Sequence, residues 1–150
     1  IPFVDLRLTA ERVWWAQAPD ARFPLQAVQL RNEAAYALPG GLATIYGSTG
    51  AEAGGFLGDA EIRGMPPGET RLLAFARDSG VQITPARQDT TTPLRVEIRR
   101  GYVRVTQRLT HRLSLAVESG AARGRLIADL PVRPGETPQT SCRRDCAGAP

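Results

Sequence analysis

Lysine is absent from this 150-residue chain, and all 19 of its cationic side chains are arginine. With the abundance of alanine, glycine and proline, this reads first as the imprint of a GC-rich genome. It reads second as a supply of guanidinium forks suited to paired contacts with carboxylate or phosphate. Histidine is almost as scarce, with His111 alone. A single imidazole excludes a multi-histidine zinc centre, and two cysteines distant from it cannot complete the four N or S ligands of a structural zinc site. Neither a metal nor a cofactor is expected. No apolar run approaches the ~20 residues a spanning helix needs, so no membrane span is expected. No charged-then-apolar leader stands at Ile1, and the chain reads as a mature product or an excised piece of a larger protein.

What is present fits one globular domain. Hydrophobic residues make up 42% and charged residues 23%, close enough to the globular average to argue against wholesale disorder. The charge is uneven. Residues 1–93 carry eight arginines against ten acids, residues 94–133 nine against three, and the remainder two against two. Such a split marks a candidate surface for acidic partners.

Along the chain, short alternating runs are separated by Gly and Pro. Val4, Leu6 and Leu8 alternate with Asp5 and Arg7 as in a half-buried strand. Further strands are expected over 25–32, 42–46, 56–62, 71–75 and 81–84, then at Leu94-Val96-Ile98, at Val103-Val105 after a bulge or bend at Gly101, at Leu113-Leu115-Val117 and over 125–130. Leu38-Pro39-Gly40-Gly41 and Met65-Pro66-Pro67-Gly68 are turn signals, and the polar stretch 85–93 reads as a loop. Residues 9–17 carry a helix signal in Thr9 and Glu11, opposed by the strand preference of Val13-Trp14-Trp15. Many short strands with regularly recurring turns imply an all-β fold, a two-sheet antiparallel β-sandwich of immunoglobulin-like or related type. It is expected to occupy 1–135, with a Pro/Gly-rich tail over 136–150. Its expected core is Leu30, Ile45, Leu57, Leu73, Val96, Val105, Leu115 and Val117.

Few residues point to chemistry. His111 lies between Arg108 and Arg112 and reads as an exposed turn histidine, and Ser114 and Asp129 stand at no diagnostic spacing for a triad with it. Asp59 and Glu61 share a strand face but read as a solvated stripe. The glycines of 47–58 lack the Gly-Lys-Ser/Thr ending of a phosphate loop. The basic segment says more. Arg95 and Arg99 lie on one side of a strand and Leu94, Val96 and Ile98 on the other. Tyr102, Arg104 and Arg108 again share a face, so neighbouring strands here would form a basic sheet face for an acidic or phosphate-rich polymer. Adjacent Trp14 and Trp15 must point to opposite sides of a strand, and an exposed one could stack on a sugar or cover a neighbouring domain. Cys142 and Cys146 are spaced to form a disulfide in an exported protein, and would be two free thiols in a cytosolic one.

The run Val28-Gln29-Leu30-Arg31-Asn32, the turn Leu38-Pro39-Gly40-Gly41 with its strand to Tyr46, then Gly55-Phe56-Leu57-Gly58-Asp59-Ala60 and Pro66-Pro67-Gly68-Glu69 follow one another in an unusual order. Over about residues 25–135 this resembles the C-terminal domain of the bacterial mucoidy-inhibitor-like proteins. The resemblance implies an all-β domain of unassigned function, usually preceded by another β domain and a coiled coil, and it carries over no catalytic residue. The expectation is therefore a non-catalytic interaction or structural module of a larger bacterial protein, whose compartment is not written in the sequence, the periplasm or cell envelope being favoured over the cytoplasm. Its partner would be another protein or another domain of the same protein, with no specific nucleic-acid ligand. The alternative is a binding domain for a glycan or anionic polymer, and a hydrolase is a distant third.

Overall fold

The computed structural model describes residues 8–120 and 123–139. Among them the chain is all-β. It has strands β1 (Ala10–Ala16), β2 (Leu25–Arg31), β3 (Gly41–Tyr46), β4 (Phe56–Ile62), β5 (Thr70–Arg77), β6 (Gln82–Arg99), β7 (Tyr102–Glu118) and β8 (Arg125–Ala128), with a single 3-10 turn at Gly50–Glu52. β5, β2, β1 and β8 form a four-stranded sheet in that order, while β3–β4 and β6–β7 are separate two-stranded sheets. All pairs are antiparallel except β1–β8, which is parallel.

The conflict over residues 9–17 resolves as strand β1, because a β-branched residue and two indoles suit a half-covered pleated surface better than a helix. Val13 and Ala16 are buried there. With Ala27, Ala60, Met65, Leu73, Val81 and Ile83 they make up a small core. Asn32, wholly buried at 0% exposure, ties two turns together. Its side-chain amide donates to the carbonyls of Tyr36 and Met65, both at 2.9 Å, and its Oδ1 accepts from the Ala34 amide at 3.0 Å. Gly58 brings β4 against β5, since a Cβ there would stand 2.5 Å from the Phe75 carbonyl oxygen.

Several expectations are corrected. Of the expected core only Leu73 is buried. Leu30, Ile45, Leu57 and Leu115 are half-buried, and Val96, Val105 and Val117 are exposed. Alternation identifies a strand with two different faces but does not supply the layer that covers one. Residues 85–93 are not a loop; they run inside β6. Thr90, Thr91 and Thr92 favour extended backbone, and prolines are tolerated in a ribbon whose strands are both edges. Gly101 is not a bend in a continuing strand. Arg99 pairs with Tyr102, so Arg100-Gly101 is a two-residue reversal, with Gly101 at φ +89. The bulge lies instead at Leu94. His111 is in the middle of β7 rather than in a turn, and Leu113-Val117 belongs to that same strand. The strand expected at Val4–Leu8 falls outside the described residues except for Leu8, which is not in a strand.

Candidate docking surface on the β6–β7 arm

β6 and β7 have 18 and 17 residues, about three times the usual strand length. At about 3.3 Å per residue the ribbon is roughly 55 Å long. Its root is fixed to the four-stranded sheet. Val81 and Ile83 are each 1% exposed. The Ile83 amide donates to the Arg22 carbonyl at 2.7 Å and the Asp78 amide to that of Pro24 at 3.0 Å. Asp78 accepts from the indole of Trp14 at 2.8 Å, from Gln26 at 3.0 Å and from the Gly80 amide at 3.0 Å. Partial burial pushes the Asp78 carboxyl up. The three hydrogen bonds and the nearby Arg12 guanidinium outweigh that and hold it below the usual aspartate value.

Beyond its root the arm is bare on both sides. Residues 86–110 are exposed except Glu97, which is half-buried. Residues directly opposite in an antiparallel pair share a face. Arg95 lies opposite Thr106, Glu97 opposite Arg104, and Arg99 opposite Tyr102. The bulge at Leu94 switches the parity of β6, so that Thr92, opposite Arg108, stays on this same face. One face of the arm thus carries Arg95, Arg99, Arg104, Arg108 and Arg112 with Tyr102. Glu97 is the acid among them, paired with Arg95 at 2.8 Å. Arg99, Arg104, Arg108 and Arg112 make no ion pair among the described residues. The surface around the tip is open rather than enclosed.

The other face pairs Val96 with Val105 and Ile98 with Val103, then Pro93 with Gln107 and Thr91 with Leu109. Ile98 is 80% exposed and Val103 62%. Farther in, the same face carries Asp89 opposite His111, with Asp89 Oδ1 2.8 Å from His111 Nδ1. It then carries exposed Arg87 opposite half-buried Leu113, Pro85 opposite half-buried Leu115, and buried Ile83. The body therefore covers the root of this face and leaves its outer half uncovered.

The arginines and Tyr102 singled out from the sequence come together on one face, as alternation implied. Trp14 and Trp15 do not join them. They are in β1, where each indole N–H is already used, Trp14 on Asp78 and Trp15 on Asp129 at 2.8 Å. Trp15 borders an open depression of about 320 Å³ with Phe23, Arg22 and Arg77. Asp129 is thus a Trp15 partner and not a partner of His111, and Ser114 lies on the opposite face of β7 from His111. The sequence assigned no role to Asp78 or Asp89. Asp78 has no local signal, whereas Asp89 would have been found by aligning the two halves of the hairpin with its bulge. Asp59 and Glu61 are exposed. Cys142 and Cys146 lie outside the described residues. Among the described residues no cluster of His, Cys, Asp and Glu could hold a metal ion, and no helix is long and apolar enough to cross a membrane. No protein-family model, curated protein or solved structure matches the chain.

Proposed function

We propose that this chain is a non-catalytic docking domain of a larger bacterial, envelope-associated protein, and that the β6–β7 arm is its contact element. The basic face of the arm meets an acidic protein surface, on a partner or on another domain of the same protein. The observation that carries this reading is the β6–β7 register, which gathers five arginines on an exposed ribbon with one neighbouring acid. A field of this kind acts over about a Debye length, roughly 8 Å at physiological salt, and speeds encounter more than it tightens the complex. The resemblance to the mucoidy-inhibitor-like proteins belongs to the same proposal, as does a two-layer sandwich body in which β3–β4 covers the four-stranded sheet near Gly58 and Phe75. His111 pairs through one ring nitrogen with Asp89, and the other lies 4.0 Å from Glu136.

A second reading, a glycan or other anionic polymer as ligand, is favoured by Tyr102, an exposed ring among the same arginines that could stack on a sugar. Both readings are tested by measuring the binding of polyglutamate and of heparin to the intact chain across a salt series. The Arg99→Glu, Arg104→Glu double variant is measured beside it. The docking reading expects polyglutamate binding that weakens as salt rises and drops severalfold in the variant. Stronger, salt-resistant retention of heparin supports the second reading. Equal binding by the variant and the parent at every salt concentration contradicts both.

A further inference from the structure

We propose that the outer apolar face of the arm is covered by the same face of a second copy of this chain. The face is apolar at the root, with Ile83, Leu113 and Leu115, is interrupted by Arg87, Asp89 and His111, and is apolar again toward the tip, with Val96, Ile98, Val103, Val105 and Leu109. An isolated two-stranded ribbon is marginal in water, and a covered face is what such ribbons lack. The two cross-strand pairs Val96–Val105 and Ile98–Val103 are β-branched throughout, the side-chain type that fills the ~10 Å space between sheets packed face to face.

The distribution of charge selects the occupant. Arg95, Arg99, Arg104, Arg108 and Arg112 lie on the opposite face, and Arg87, which is on this one, lies inward of the Asp89–His111 pair, so two copies joined through the patch between Leu109 and the tip turn the five guanidinium groups outward and bring no arginine into the contact. The Asp89–His111 pair marks the polar inner limit of the patch. A lipid surface fits less well. The five arginines of the basic face lie on the side opposite the patch, so they point away from the headgroups when the apolar side faces the acyl chains. The one aromatic near the tip that could anchor at an interface, Tyr102, is on the basic side. The patch is about seven residues long and two strands wide, and two copies would bury on the order of 1,000 Å², the lower bound for specific association. The expected dimer is therefore dissociable at micromolar concentrations. It presents two basic faces on opposite sides, so a multivalent anionic partner would be held by avidity. The inference does not depend on what the basic face binds.

Sedimentation equilibrium of the intact chain over a wide loading range tests it. The mass should rise with concentration from 16.2 kDa toward twice that value. Ile98→Asp with Val103→Asp should hold the mass at 16.2 kDa throughout. The milder Val96→Thr, Val105→Thr variant, which keeps β-branching, should dissociate at higher concentration than the parent, with unchanged far-UV circular dichroism. Arg99→Glu with Arg104→Glu should still dimerise, which separates failure here from failure of the basic face. A parent chain that is monomeric at every concentration, or an Ile98→Asp, Val103→Asp variant that still self-associates, overturns the proposal. A monomer that co-sediments with phosphatidylglycerol vesicles, and loses this in the same variant, overturns it too and assigns the face to lipid.

Discussion

Asp78 is where the arm is fastened to the sheet, and replacing it with asparagine tests that attachment. One carboxylate oxygen accepts from Trp14 and Gln26 while the other accepts from Gly80. An asparagine has one acceptor oxygen, so at least one of these donors must then face an NH₂ group. Hydrogen bonds to a charged group contribute about 1.5–3 kcal/mol each. The site is half-buried, and water recovers part of the loss, leaving a net destabilisation of about 2 kcal/mol. With a urea slope between about 1 and 3 kcal/mol/M, the midpoint falls by about 1 M. Because the folded-state pKa lies below the unfolded one, the contribution is fully present above the unfolded value of about 3.9 and is lost as pH falls through the lower folded value. Urea unfolding of parent and Asp78→Asn, followed by circular dichroism, should therefore show a constant gap from neutral pH down to about 5 that narrows as the pH falls below the unfolded value of about 3.9. An undiminished gap at the acid end, or none at neutral pH, would refute the reasoning.

Three further outcomes are expected. Asn32→Ala removes both donors to the carbonyls of Tyr36 and Met65 and the acceptor for Ala34, so it should cost about 3–5 kcal/mol in chemical denaturation, since each orphaned buried group costs about 1–3 kcal/mol. Gly58→Ala forces a methyl group against the Phe75 carbonyl and should lower the melting temperature by several degrees, whereas Gly41→Ala, with open space around it, should be close to neutral. His111→Ala breaks an exposed pair with Asp89, and thermal melts should place it within about 1 kcal/mol of the parent.

The fold class was legible because β2, β3 and β4 are short runs rich in apolar residues, set off by the breakers Leu38-Pro39-Gly40-Gly41 and Met65-Pro66-Pro67-Gly68. The arm was legible only in pieces. Stretch 85–93 holds two prolines and few apolar residues, and its strand is sustained by pairing with β7 rather than by burial, so hydrophobic period could not reveal it. The Thr90-Thr91-Thr92 run was the available signal. The basic face could be read because a two-residue reversal at Arg100-Gly101 places Arg99 against Tyr102 and every second residue follows. Asp89 could not be matched to His111, because the extra residue at Leu94 shifts the register by one; without it Asp89 would face Arg112. Burial of Val96 and Val105 was inferred from alternation, yet alternation also describes a ribbon with an open apolar side.

The central claim is that binding resides in an arm that the body does not need. Replacing residues 88–112 by Asn-Gly leaves Arg87 opposite Leu113, keeps Val81 and Ile83 at the root and removes the whole outer ribbon. Polyglutamate binding by this shortened chain, measured beside its urea unfolding midpoint, is the most direct test. The account predicts a midpoint close to the parent's together with loss of salt-sensitive binding. Full binding by the shortened chain, with the body still folded, would contradict it.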